Sequence, residues 1–161
     1  MSIPVARLNH AVLFVRDASR AAEFYREIFG FEIVGSEMGG QAVFMRSPLA
    51  TNHHDLGLFS VGPNASNAPR GSVGLYHLAW EVPRIEDLAA AAKILSEAGA
   101  LGGASDHVVS KSLYGRDPDG NEFEIMWSVP REAWGEAEHR GAILPLDLDA
   151  ELKRFGSGVA G

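Results

Sequence analysis

Two histidines stand at matching places in two similar stretches of the sequence. His10 is the third residue of LNHAVLFVRD, and His77 is the third residue of LYHLAWEVPR. Alternate residues of a strand share one face, so two equivalent strands would carry these imidazoles in equivalent orientations. Further along the chain, Glu122 and Glu124 both have the strand parity to join them. The pattern predicts a site built from two imidazoles and one carboxylate.

This set of side chains has a definite metal chemistry. Two neutral imidazoles and a carboxylate leave about three coordination positions open, the arrangement with which non-heme Fe(II) oxygenases bind substrate and dioxygen together. The sequence has no cysteine, which excludes thiolate zinc sites, disulfides and cysteine nucleophiles. We therefore expect one divalent metal, with Fe(II) as the first choice.

Each histidine segment is followed by a helical pattern and then by short strands. Gly30 and Gly99 stand where the two helices should end. The stretches FEIVG, QAVFMR and HDLGLFSV have strand composition in the first copy, as SLYGRD and EFEIMW have in the second. Residues 117–120, DPDG, suit a type I turn within the last pair. The sequence thus predicts an α+β protein made of two tandem βαβββ modules. The apolar helical residues, spaced for one buried face, are Ala21, Phe24, Tyr25 and Ile28 in the first copy and Ile85, Leu88, Ala92 and Leu95 in the second.

A polar stretch sets the boundary between the modules. Residues 62–72, GPNASNAPRGS, are too rich in turn residues to form a helix or strand. We expect modules at about residues 7–62 and 73–129, paired into one domain over residues 1–130. The tail, residues 131–161, belongs to neither repeat, although LDLDAELKRF within it has the composition of a short helix.

Composition excludes several classes of partner. The chain has 161 residues, 46% of them hydrophobic, which suits one compact domain. Its formal net charge is −7 and it has no basic cluster, so nucleic acid is not an expected partner. The sequence contains no run of about 18 apolar residues, so it predicts no membrane-spanning helix. The N-terminus lacks the charged segment followed by an apolar segment that is typical of a secretory signal. We expect a cytoplasmic protein with no membrane partner.

The repeat and the ligand pattern resemble the vicinal oxygen chelate superfamily, the glyoxalase, bleomycin resistance and extradiol dioxygenase group, over residues 8–127. The resemblance implies that the paired modules form a half-barrel around a metal site. It also implies that the ligands are His10, His77 and Glu124. The motif DPDGNEFE selects Glu124 over Glu122, because the family ligand lies three residues after the asparagine.

The resemblance also separates the branches of the superfamily. Glyoxalases usually add a fourth ligand on the last strand of the first module, where HDLGLFSV places Leu58, which cannot bind a metal. The likeness is closest to small single-domain proteins similar to catechol 2,3-dioxygenase. Their active-site segments resemble HHDLGL, GGASDHVVSKSLY and RDPDGN. The matching positions are His54, His107, which we place in a Gly/Ser-rich loop, and Tyr114.

On this resemblance the protein is an Fe(II)-dependent extradiol dioxygenase acting on a small aromatic diol of the catechol type with O2. Mn(II) or another divalent metal is the alternative. His54 would act as acid and base, while His107 and Tyr114 would donate hydrogen bonds to substrate oxygens. A strand slip of one residue would turn His53 inward instead, but parity with Leu58 favours His54. The two-module form also implies a homodimer.

Other activities of the superfamily remain open. A fosfomycin-resistance-type thiol transferase uses the same three ligands, often with Mn(II). It needs cationic groups for a phosphonate, and the sequence offers Arg46 and Arg116 near the motifs. Bleomycin-type resistance proteins share the fold but sequester a small molecule without a metal. The retention of all three ligand positions favours an enzyme.

Overall fold

The computed structural model describes residues 2–69 and 71–157. The chain divides between residues 71 and 72 into two compact units. Within the described residues each unit contains one βαβββ module, which confirms the predicted α+β class. Arg70 of the predicted linker and residues 158–161 of the predicted tail lie outside the described residues.

The helix of the first module ends at Gly30, as the sequence predicts. The side chain of Asp17 accepts hydrogen bonds from the main-chain N–H groups of Ser19 and Arg20, which caps the first turn. Gly30 ends the helix with φ of 67°, a left-handed conformation that favours glycine. Within residues 2–69 the elements are β1 (Ala11–Val15), α1 (Ala18–Phe29), β2 (Glu32–Glu37), the 3-10 helix Met38–Gly40, β3 (Ala42–Arg46) and β4 (Leu56–Ser60).

The first sheet has one face toward α1 and one face away from it. Its strand order is β1-β4-β3-β2, with β1 parallel to β4 and the other pairs antiparallel. Helix α1 packs against β3 and β4. On the opposite face, Val12 and Phe14 are exposed. The buried strand residues on the α1 side are Leu13, Val15, Val43, Met45, Leu56 and Leu58.

The second module repeats this order, and its β6 forms where the sequence pattern located no strand. Strand β6 covers part of the segment interpreted as a Gly/Ser-rich loop, and His107 directly follows it. Gly102 and Gly103 weaken the strand signal because they add no side chain to the sheet, and the register with β7 shifts between Leu101 and Gly103. The elements are β5 (His77–Glu81), α2 (Ile85–Glu97), β6 (Leu101–Asp106), β7 (Ser110–Arg116) and β8 (Glu122–Ser128).

The second sheet has the strand order β5-β8-β7-β6, with β5 parallel to β8. Helix α2 packs against β7 and β8, and Phe123 and Ile125 of β8 are buried in this core. The predicted turn between β7 and β8 is confirmed, because the Gly120 N–H donates to the Asp117 carbonyl at 3.0 Å.

The tail packs on the second module. It contains the predicted helix, α3, whose N-cap Asp147 accepts from the Ala150 N–H. Helix α3 packs against α2, and the ring of Phe155 lies 5.3 Å from that of Trp127. None of the helices within the described residues is long and apolar enough to span a bilayer. The tail elements are the 3-10 helices Arg131–Ala133 and Gly135–His139 and the α-helix α3 (Leu148–Phe155).

Lys111 is a buried cation that connects the tail to the sheet. Its side chain is 2% exposed, and its Nζ lies 2.5 Å from Asp106 Oδ1 and 3.3 Å from Glu151 Oε2 of α3. A buried ammonium group is costly unless carboxylates compensate it. The two carboxylates therefore offset the cost of burying the Lys111 ammonium group, and Lys111 in turn stabilises the position of α3 on the sheet.

We expect Lys111→Met to destabilise the protein by about 3 kcal/mol. Breaking a buried ion pair typically costs about 3–5 kcal/mol, and the lower end applies because both carboxylates keep some contact with water. The free energy of unfolding from urea titration measures the effect. The exposed Lys153→Met is the matched control and should change the stability by less than about 0.5 kcal/mol. Equal stabilities for the two variants would contradict this role of Lys111.

Candidate active site

His10 and His54 lie together in the first module, with their ring centroids 4.4 Å apart. His10 directly precedes β1, and His54 lies in the loop before β4, the strand that pairs with β1. Phe44 of β3 also contacts His54, at a ring-centroid distance of 5.1 Å. The strand register places Phe44 on the sheet face away from α1. This face therefore carries two imidazoles beside an aromatic ring.

Local hydrogen bonds orient the His10 ring. Its Nδ1 lies 2.9 Å from the Oδ1 of Asn9. An amide oxygen only accepts hydrogen bonds, so Nδ1 carries the hydrogen and Nε2 of the neutral ring carries the lone pair. The Asn52 amide donates to the carbonyl oxygens of Asn9 and His54, at 2.8 and 2.6 Å. Asn52 thus connects the loop that holds His54 to the segment that holds His10.

The structure brings His54, rather than the neighbouring His53, to His10. His53 is exposed, and its Nδ1 lies 3.0 Å from the Nδ1 of His54. Burial, followed by the nearby His10 and His53, lowers the pKa of His54 below its ordinary value, although Asp55 acts in the opposite direction. The His54 imidazole is therefore neutral at physiological pH.

Strand parity with Leu58, from which the sequence predicts that His54 rather than His53 faces the site, is wrong. Leu58 is fully buried on the face toward α1. Strand β4 begins only at Leu56, so the alternation of side chains does not extend back through the irregular loop to His54. The loop, not strand parity, places His54 beside His10.

The residue at the position of the missing fourth ligand differs by one from the residue that the sequence predicts. In the second module Glu124 is paired with Ala79, and in the first module the corresponding pair is Gly57 with Val12. Gly57, rather than Leu58, therefore occupies the position equivalent to Glu124. A glycine has no side chain to bind a metal, so the conclusion that this position provides no ligand is unchanged.

His77 and Glu124 form a close pair in the second module. His77 Nε2 lies 2.9 Å from Glu124 Oε2. The two residues are on the parallel neighbours β5 and β8. The register pairs His77 with Glu122, so Glu124 lies two residues further along β8 on the same face. Glu124 is only 9% exposed. His77 Nδ1 is buried, with no hydrogen-bond partner among the described residues.

This pair fits a divalent cation. Ligands about 2.1 Å from an octahedral ion place neighbouring donor atoms about 3.0 Å apart, close to the 2.9 Å between His77 and Glu124. A carboxylate as buried as that of Glu124 is costly without a cation or hydrogen bonds. Across residues 2–69 and 71–157, however, no group of three or more His, Asp or Glu side chains assembles in a way that could hold a metal. The third ligand stays a prediction.

The neighbouring Glu122 has a different partner. Its carboxylate forms an ion pair with Arg116, which lies opposite it in the β7–β8 register. In the first module, Arg46 lies 3.8 Å from Glu32. Both arginines that the sequence offers to a phosphonate are therefore paired with glutamates.

Tyr114 connects Glu124 to His107. It lies opposite Glu124 in the β7–β8 register, and its ring is 5.8 Å from that of His77. The Tyr114 hydroxyl lies 2.8 Å from His107 Nε2. Burial, and then the negative charge of Glu124, raise the pKa of Tyr114 above its ordinary value. The phenol therefore stays protonated at neutral pH.

The structure reveals one contact that the sequence analysis missed. His107 Nδ1 lies 2.6 Å from the main-chain carbonyl oxygen of Ala142 in the tail. Any residue type provides a carbonyl group, so no side-chain pattern could have indicated Ala142. The tail also belongs to neither copy of the repeat, so the sequence gives no reason to place it near a site residue.

The two βαβββ modules and their matching histidines agree with one family. Residues 7–125 match the family model described as "Glyoxalase/Bleomycin resistance protein/Dioxygenase superfamily". The chain belongs to this superfamily.

Individual relatives within the superfamily include dioxygenases. The catechol-2,3-dioxygenase of Bacillus subtilis (strain 168) is 34% identical over 92% of this chain and 52% of its own length. A manganese-dependent 2,3-dihydroxybiphenyl 1,2-dioxygenase of Geobacillus genomosp. 3 is 26% identical over 81% of this chain and 39% of its own length. The chain thus spans about half of these relatives or less. The crystal structure of a glyoxalase/dioxygenase from Nostoc punctiforme has a TM-score of 0.64 at 20% identity, covering 81% of this chain and 97% of that one, and shows the shared fold.

Proposed function

We propose that this chain is a metal-dependent extradiol dioxygenase that opens the ring of a catechol-type aromatic diol with O2. The observation that carries the proposal is the group in the second module where His77 and Glu124 meet Tyr114, whose hydroxyl contacts His107. This group combines a metal-binding pair with a protonated phenol able to contact a substrate oxygen. The activities named for the two dioxygenase relatives support the same chemistry.

His77 and Glu124 would hold the metal, and we propose His10 as the third ligand. His10 directly precedes β1 much as His77 begins β5, and its Nε2 carries a lone pair. Imidazole and carboxylate ligands with open positions suit Fe(II), the proposed metal, and also Mn(II). When bound, the metal would supply the redox chemistry between diol and O2 that side chains lack.

His54 is the proposed acid and base. Its neutral imidazole can accept a proton from a diol hydroxyl and return it later. The rings of Phe44 and Phe59, 5.9 Å apart on the same sheet face, offer an apolar surface suited to an aromatic substrate. The first module would thus provide proton transfer and part of the substrate surface.

Tyr114 is proposed to contact a substrate oxygen directly, while His107 acts through it. Both ring nitrogens of His107 are engaged, one with Ala142 and one with Tyr114. In this arrangement His107 has no N–H left for a substrate. This refines the expectation that His107 and Tyr114 both donate to the substrate.

Oxygen uptake after anaerobic loading with Fe(II) tests the proposed function. The loaded chain should consume O2 with at least one member of a panel of small catechols, and the metal-free chain should not. A thiol transferase is not favoured, because Arg46 and Arg116 are paired with glutamates rather than available to a phosphonate. A fully loaded chain that consumes no oxygen with any catechol would contradict the proposal.

We also propose that the chain forms a symmetric homodimer. Among the described residues, β1 and β2 are the edges of the first sheet, and β5 and β6 are those of the second. The bridge to Leu144 covers β6 only at Asp106, its last residue. Proteins commonly cover such edges by pairing with a second copy. Light scattering at micromolar concentration should therefore give a mass well above the 17.3 kDa of one chain. A mass equal to that of one chain would contradict a dimer.

A further inference from the structure

We propose that the tail segment around Ala142 is a positioning element of the candidate active site. Its main chain would decide which nitrogen of His107 carries the hydrogen, and thereby the direction in which the Tyr114 hydroxyl donates. The catalytic consequence rests on the proposed function, whereas the side-chain arrangement does not.

The hydrogen-bond partners of His107 define its tautomer. A carbonyl oxygen only accepts, so Nδ1, 2.6 Å from the Ala142 oxygen, carries the hydrogen. In a neutral imidazole the other nitrogen, Nε2, is then an acceptor. The Tyr114 hydroxyl, 2.8 Å from Nε2, must be the donor in that contact.

The main chain near Ala142 is held beside His107 by a short antiparallel bridge. The Leu144 N–H donates to the Asp106 carbonyl at 2.9 Å, and the Asp106 N–H donates to the Leu144 carbonyl at 2.8 Å. Asp106 directly precedes His107 in the chain. The bridge therefore fixes the tail two residues from the carbonyl that contacts the imidazole.

Asp106 also organises the turn that carries His107. Its Oδ1 accepts from the Val108 N–H at 2.6 Å and from Lys111, which also contacts Glu151 of α3. Val108 has φ of 69°, a strained conformation for a β-branched residue. A strained residue persists only where its surroundings hold it. The turn, the bridge and α3 thus form one connected support for the His107 ring.

This arrangement gives the Tyr114 oxygen a definite role. The Glu124 carboxylate, which only accepts, is also within hydrogen-bonding reach of the Tyr114 hydroxyl. With the hydrogen directed to His107 rather than to Glu124, the phenol oxygen keeps lone pairs for other donors. A substrate hydroxyl would then donate to Tyr114 instead of accepting from it. Ala142 and Leu144 are positioning residues in this scheme, since neither reaches the substrate.

Nitrogen-15 NMR of histidine-labelled protein tests the proposal directly. In the full-length wild type the His107 signals, identified by their loss in His107→Gln, should show hydrogen on Nδ1 and a lone pair on Nε2. Tyr114→Phe should keep that tautomer, because the Ala142 carbonyl is still present. Hydrogen on Nε2 in the wild type, or a change of tautomer in Tyr114→Phe, would overturn the proposal.

A second pair of variants tests the bridge. Leu144→Pro removes the N–H that donates to Asp106 and should shift His107 toward the Nε2–H tautomer, whereas Leu144→Ala keeps the N–H and the wild-type spectrum. A folded Leu144→Pro protein with an unchanged His107 tautomer would overturn the role of the tail. If Leu144→Pro does not fold, the Tyr114→Phe spectrum still shows whether the Ala142 carbonyl alone fixes the His107 tautomer.

The NMR experiment and the oxygen assay test the positioning role of the tail and the proposed function independently. Hydrogen on Nδ1 of His107 in a loaded chain that consumes no oxygen would support the positioning role and overturn the proposed function. Catechol-dependent oxygen uptake by a chain whose His107 carries hydrogen on Nε2 would do the reverse. If both hold, Leu144→Pro should reduce the turnover rate at unchanged metal content, and Leu144→Ala should not.

Discussion

Replacing His77 with alanine is expected to abolish stoichiometric metal binding and all metal-dependent turnover. The wild type should bind about one Fe(II) per chain through its imidazole and carboxylate ligands. His77 Nε2 lies 2.9 Å from the Glu124 carboxylate, so the substitution removes one ligand and leaves the other buried alone. Elemental analysis after anaerobic loading and desalting measures the metal content. Glu124→Gln should have the same effect, because a neutral amide is a much weaker ligand than a carboxylate.

Two variants provide matched controls for this prediction. His139→Ala removes an exposed histidine of the tail, and Glu122→Gln neutralises the carboxylate that pairs with Arg116. Both should keep the metal content of the wild type. Circular dichroism should confirm that all the variants are folded. If His77→Ala kept the iron content of the wild type, the assignment of His77 as a metal ligand would be wrong.

His54→Gln should reduce the rate of oxygen consumption by about a hundredfold to ten-thousandfold, the usual cost of losing a general acid and base. Glutamine keeps similar bulk but cannot accept and return a proton. Because His54 is not a proposed ligand, iron content and catechol binding should stay close to those of the wild type. Oxygen-electrode rates at saturating catechol, together with iron analysis, separate these effects.

His53→Gln is the matched control for His54→Gln. His53 is exposed, whereas His54 contacts both His10 and Phe44. The His53 variant should therefore keep most of the wild-type rate. If His54→Gln turned over as fast as the wild type, the assignment of the proton shuttle would be wrong, although the fold and the metal ligands would be unaffected.

The elements of the fold could be predicted because local chemistry determines them. Helix α1 is specified by an Asp cap, one apolar face and a terminal glycine, and the β7–β8 turn is specified by Asp, Pro and Gly at set positions. Strand β6 could not be predicted in this way. Its glycines have low strand propensity, and it forms because β7 provides a partner on one side and Leu144 bridges it on the other.

The candidate site could be predicted only where regular strands carry it. His77 and Glu124 follow strand alternation and meet on neighbouring strands of one sheet. His54 does not, because the strand alternation does not extend through its loop. Separately, an alignment displaced by one residue gave Leu58 the place that the register gives to Gly57. The contact between Ala142 and His107 uses a main-chain group, which a single sequence does not mark.

Identification of the product tests the central claim most directly. The chain loaded with Fe(II) would be incubated with a catechol under ¹⁸O₂, and the products would be analysed by mass spectrometry. The proposed function predicts a ring-opened product that contains the atoms of the catechol plus both atoms of one O2, formed by the wild type but not by His77→Ala. Recovery of the catechol unchanged, or its oxidation to a quinone without incorporation of oxygen, would contradict the assignment as an extradiol dioxygenase.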